Sequence, residues 1–202
     1  MSIRLFRWSI TTKLILLLLT VSLIPMVGTA YYNLRGSLAM VNDGEQKNLY
    51  LLAISLANRI DQLFEDTRSI TNILAADKEV IRYLSQDIAE QGDSLESVKA
   101  SASAIKNAIQ GISNVYIMDK NGIFVVSTDP QAYHKNLSHR EYFQRAISGE
   151  PFVSELIFGT ISGEPGIFFS APVRGKTGRI VGVALVKLKL EAISTILEGI
   201  NT

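Results

Sequence analysis

The stretch "NLSHREYFQRAISGEPF", residues 136–152, concentrates the side chains best suited to binding chemistry. Arg140 carries a planar fork of donors that meets a carboxylate with two parallel hydrogen bonds. Tyr142 and Phe143 follow at once and can shut water away from such a pair. That shielding matters, because an exposed guanidinium–carboxylate contact contributes little. The competing reading pairs Arg140 with Glu141 or Glu150 at the surface and makes the two rings plain core. Gly149, Glu150 and Pro151 end any helix that the stretch forms.

Catalytic and metal chemistry find little support. His134 and His139 are the only histidines, and there is no cysteine, so thiolate metal sites and disulfides are excluded. "GKT" at 175–177 suggests a phosphate loop, but Ser170 stands where its first glycine is required, and a strand follows in place of a helix. No serine lies in a nucleophile elbow, and no carboxylate pair is spaced for acid–base work. The expectation is a non-enzymatic chain with no cofactor and no metal. Asn136, Leu137 and Ser138 formally match a glycosylation acceptor.

The 202 residues carry a net charge of +1 and are 47% hydrophobic, enough for a core and too neutral for a nucleic-acid partner. Residues 14–32, "LILLLLTVSLIPMVGTAYY", hold no charge and approach the length of a membrane span. Arg4, Arg7 and Lys13 precede that run and only Arg35 follows closely. The positive-inside bias therefore puts 1–13 in the cytoplasm and the rest outside, with Trp8 and the Tyr31–Tyr32 pair at the two interfaces. A cleaved secretory signal is the alternative, with Gly28 and Ala30 near the cut. Pro25 only kinks a membrane helix.

Beyond the span, Leu49, Leu52, Leu56, Ile60, Leu63, Ile70 and Leu74 share one helical face. Thr67 interrupts a strict heptad, so the stripe fits either packing on the domain's own sheet or a homodimer seam. A second helix is expected over 94–110, capped by Ser94, after a polar turn "SQDIAEQGDS". From Gly111 the period shortens to two. Asn121-Gly122 splits "ISNVYIMDKNGIFVVSTDP" into a hairpin. "FVSELIF", "GIFFSAPV" and "RIVGVALVKLKL" read as further strands, and "EAISTILEGI" as a closing helix. The sum is an α+β domain, an antiparallel sheet with helices against one face.

"VYIMDKNGIFVVST", "LSHREYFQRAISGEPFVS" and "FFSAPVRGKTGRIVGVALVKL" together resemble the Cache sensor domains of bacterial receptors, extracytoplasmic relatives of the PAS fold. The resemblance covers about 34–202 and implies a PAS-like antiparallel sheet with a long N-terminal helix, preceded by one transmembrane helix. In amino-acid-binding members an arginine on the short helix grips the ligand carboxylate, aromatic neighbours close over it, and an aspartate on the last strand takes the amine. Arg140 matches the arginine, and Tyr142 and Phe143 the aromatic pair. The aspartate's place falls on Lys187, which repels an ammonium group and cannot accept its hydrogen bonds. Arg140 with Lys187 would instead suit a carboxylate or dianion without an amine, and Phe169 is a further candidate wall.

Two functions follow from the resemblance. One is the ligand-sensing part of a transmembrane chemoreceptor, histidine kinase, cyclase or phosphatase in the bacterial cell membrane, with a second Cache module or span to follow beyond Thr202. The other is an anchored or secreted binding module that passes no signal.

Overall fold

A computed structural model describes residues 9–86 and 92–198, with side chains for all of these but 34–45 and 92–93. The expectations for Arg4, Arg7 and Trp8, and for the centre of the polar turn at 87–91, lie outside the described residues. The chain divides into two units, Met1–Ile54 and Ser55–Thr202. The first contains a 24-residue segment, Ile10–Asn33, that is long and apolar enough to cross a membrane, with a mean hydropathy of 2.1. None of it is buried.

Helix α1 (Ile10–Ala75) runs from that segment into the second unit. There Leu63, Phe64 and Leu74 pack into the core beside buried Thr67 and Thr71. Each threonine hydroxyl donates to the carbonyl four residues back, which lets a polar residue sit on a buried helix face. Over this stretch the stripe packs on the domain's own sheet.

Helix α2 (Lys78–Ser85), which sequence periodicity did not mark, starts where the Asp77 carboxylate accepts from the Glu79 and Val80 amides. Helix α3 spans Gly92–Ala108. Ser94 is not its cap: it lies inside the helix, buried, with its hydroxyl donating to Gln86.

The sheet is antiparallel and six-stranded: β1 (Ile112–Asp119), β2 (Phe124–Ser127), β3 (Phe152–Val153), β4 (Ile157–Phe158), β5 (Pro165–Arg174) and β6 (Ile180–Lys189). Its order is β2-β1-β6-β5-β3, with β4 also on β5. Asp119 organises the first turn by accepting from the Asn121 and Ile123 amides, and Gly122 takes φ +80. "FVSELIF" forms two short strands where one was expected. "GKT" is part of the β5–β6 turn, with no helix after it.

Both faces of the sheet are covered, a correction to helices on one face alone. Val115, Ile117, Phe169, Ala184 and Val186 face α1, α2 and α3, with Ala192 and Ile193 of α5 (Leu190–Glu198). Tyr116, Met118, Phe124, Phe168, Val183 and Leu185 face the other way, toward α4 (Glu141–Ile147). Alternation along β1, β5 and β6 produces the two clusters.

Candidate functional site

The second face carries most of the residues that the sequence marks as site candidates. Residues 137–140 lead into α4, and Arg140 is its N-cap with extended backbone, φ −77 and ψ 139. Its side chain makes no cap bond, so the guanidinium is free to reach elsewhere. Ser170 on β5, itself buried, donates its hydroxyl to the carbonyls of Tyr142 at 2.8 Å and Phe152 at 3.3 Å. Those bonds fix the start of the short helix against the sheet.

Tyr142 stacks on Phe168, centroids 5.2 Å apart and planes within 16°. Tyr116 and Phe124 form a second ring pair 4.8 Å apart. With Leu137 these four rings and a strap over residues 159–162 line a cavity of about 10 Å³, about the space of one water. Burial pushes the Tyr142 hydroxyl up to about 12, against the pull of the neighbouring Arg140 charge. It stays protonated and able to donate at neutral pH.

Arg140 turns toward the strap. One terminal nitrogen donates to the Phe158 carbonyl at 3.0 Å and to the Thr160 hydroxyl. Its Nε is buried with no hydrogen-bond partner among the described residues. Pairing with Glu141 or Glu150 is not what the structure holds: Glu150 pairs with Arg145 at 3.2 Å.

Lys187 lies on the same face, opposite Phe168 in the β5–β6 register, and is only 1% exposed. Its ammonium donates to the Ser162 hydroxyl at 2.9 Å and the Glu164 carbonyl at 3.2 Å, with the Glu164 carboxylate 4.0 Å away. The Phe168 ring lies 5.8 Å from it. Loss of hydration lowers its pKa, while Glu164, Asp129 and Glu191 oppose that shift.

Two glycines make room for this lysine. A β-carbon on Gly166 would come within 2.6 Å of Lys187 Cε, and one on Gly159 within 3.4 Å of its Nζ. A solvent-facing Lys187 is therefore not what the fold builds.

Of the residues expected at the site, Arg140, Tyr142, Phe143 and Lys187 all lie on this face. Phe169 does not. It points into the helix-side core, edge-on to Phe64 at 5.7 Å, because neighbours on a strand face opposite ways. Phe168 takes the wall position instead. The strap residues Thr160, Ser162 and Glu164, and the wall residue Tyr116, were not anticipated. Among the described residues no cluster of three His, Cys, Asp or Glu is placed to hold a metal.

The sequence profile of the Cache domain matches residues 38–201. The chain belongs to the Cache domain family. No curated protein matches it. Among solved structures, this Cache domain is similar to the sensor domain of the V. cholerae histidine kinase DctB, with 22% identity and a TM-score of 0.64 over 78% of this chain and 59% of that one. It is similar to the E. coli DcuS sensor domain, with 17% identity and a TM-score of 0.57 over 68% and 96%. It is also similar to the ligand-binding domain of the Campylobacter jejuni chemoreceptor Tlp3 in complex with 4-methylisoleucine, with 18% identity and a TM-score of 0.59 over 72% and 58%. At these identities the likeness is one of fold. This Cache domain spans about 59% of the DctB sensor domain's length.

Proposed function

We propose that this chain is the ligand-sensing part of a bacterial transmembrane signalling receptor, and that it binds a small dianion lacking an amine. The observation behind the reading is the convergence of Arg140 and buried Lys187 on one aromatic-walled face. The Lys187 side chain is 1% exposed, its ammonium is bonded to one hydroxyl and one carbonyl, and the Glu164 carboxylate, 4.0 Å away, is itself 68% exposed. A buried lysine with so little compensation is costly to fold around, and a bound anion offsets that cost. In the same reading Ile10–Asn33 spans the membrane with its N-terminus inside, the domain from residue 34 on lies outside, and a homodimer through α1 would transmit the signal.

In the full chain in detergent micelles, saturated α,ω-dicarboxylates from malonate to glutarate should raise the unfolding midpoint by mass action on the folded state. Aspartate and glutamate should do no better than succinate and glutarate, because Lys187 stands where an amine would need an acceptor. Arg140→Ala should abolish the gain. An amino acid as best ligand, still bound by Arg140→Ala, would make the short helix purely structural.

A further inference from the structure

Resting on the dianion reading, we propose that the strap over residues 158–164 is a built-in competitor for the site: its own oxygens occupy Arg140 and Lys187, and a ligand binds by displacing them. One short segment supplies four acceptors for the two cationic heads, with the Tyr142 hydroxyl also beside Arg140. Phe158 and Thr160 take Arg140, and Ser162 and Glu164 take Lys187. The strap also closes on itself, the Gly159 amide donating to the Glu164 carbonyl at 3.0 Å and the Gly163 amide to the Gly159 carbonyl at 2.8 Å. Phe158 is also the last residue of β4 and pairs with Pro165 of β5, so the strap shifts as a unit when that end of β4 parts from β5.

Its position fits that role. Thr160 and Ile161 line the 10 Å³ cavity beneath and also an open cleft of about 440 Å³ outside, with Lys135 and Gln131 on the outer wall. Raising the strap would join the two spaces, and the 10 Å³ cavity by itself is too small for a dicarboxylate. The Phe158 and Glu164 side chains are exposed, so the apolar packing that a raised strap breaks is chiefly that of Ile161 against the core.

The bonds are also of a kind that an anion can replace. Carbonyls and hydroxyls are neutral acceptors, weaker toward a guanidinium or ammonium than carboxylate oxygens. The unpartnered Arg140 Nε adds a donor that the strap does not use. Glu164 is the strap's one carboxylate, and its charge works directly against an incoming anion. The observed affinity is then the intrinsic one scaled by the fraction of molecules with the strap displaced.

The test uses the full chain in detergent micelles at pH 6. Without ligand, Lys187→Met should speed amide exchange at Gly159 and Gly163, since one anchor of the strap is gone. With succinate and malonate as probes in calorimetric titration, Glu164→Gln should tighten binding by roughly two- to fivefold, the scale of a half-exposed ion pair. Glu155→Gln, an exposed carboxylate outside the strap, should bind as the wild type does. Unchanged exchange in Lys187→Met, or equal affinity in Glu164→Gln and wild type, overturns the competitor and leaves the dianion site standing. If neither wild type nor Glu164→Gln binds any dicarboxylate, the site reading itself fails and takes the competitor with it.

Discussion

Gly166→Ala is the sharpest test of how the site is built. Gly166 lies on β5 opposite Lys189 and has no positive φ, so alanine fits its backbone conformation and only space decides the outcome. The new methyl would lie 2.6 Å from Lys187 Cε, 3.1 Å from its Cγ and 2.8 Å from the Leu188 carbonyl oxygen. The lysine stem can swing aside, but only by withdrawing its ammonium from Ser162 and Glu164. The carbonyl belongs to β6, the sheet's central strand, and cannot retreat freely. Overpacking of this kind costs about 1–3 kcal/mol. Removing a glycine returns about 0.4–1 kcal/mol through the unfolded chain. The net loss should be about 1–2 kcal/mol, which for the Ser55–Thr202 unit lowers the midpoint by roughly 2–8 °C. Calorimetry of the full chain in micelles reads it directly. Repeating the substitution in a Lys187→Ala background should recover at least about 0.5 kcal/mol of the loss, since Cγ and Cε are then absent. A wild-type midpoint, together with an unchanged response to dicarboxylates, would refute the claim that Gly166 holds the space for the lysine.

Gly122→Ala should be more severe, with a loss above about 2 kcal/mol in urea unfolding, because φ +80 opposes a side chain and the β-carbon would meet Ser138 Cα at 2.6 Å. For Lys187 the pH sign is fixed by its lowered pKa: the native state holds this proton less tightly than the unfolded chain. Its contribution to stability is therefore full above 10.5 and is lost as pH falls through the lowered native value. In the absence of anions, Lys187→Met should gain most over wild type at low pH and lose that advantage as pH approaches 10.5, and a pH-independent difference in midpoint would exclude the buried lysine as its source.

Local chemistry made much of the frame legible. The Asn121-Gly122 turn, the alternating runs of β1, β5 and β6 and the stripe on α1 each carry their own signal. The failures come from cover supplied at long range. "GIFFSAPV" is apolar on both faces, so alternation could not say whether Phe168 or Phe169 met the site. Lys187 and Lys189 stand two apart on the same strand, yet one is buried and the other exposed. The difference is the strap and the gaps at Gly159 and Gly166, which reach Lys187 from another part of the chain. "GTISGEP" has the composition of an ordinary turn, and nothing local says that it lies over a cavity. Helix α2 escaped because eight residues hold too few turns for a period to show.

The alternation along the central strands has an evolutionary consequence. Val115, Ile117, Phe169, Ala184 and Val186 build the helix-side core, while Tyr116 and Phe168, interleaved with them, face the cavity, and Lys187 lies on their side of the sheet with its ammonium 5.8 Å from the Phe168 ring. On the proposed dianion reading, substitutions at the second set would change what the domain recognises while leaving the helix-side set intact, so new specificities need not traverse unfolded intermediates. Such an arrangement lets chemistry drift while the scaffold persists, in keeping with neighbours that share this fold at TM-scores of 0.57 to 0.64 with only 17–22% of their residues in common.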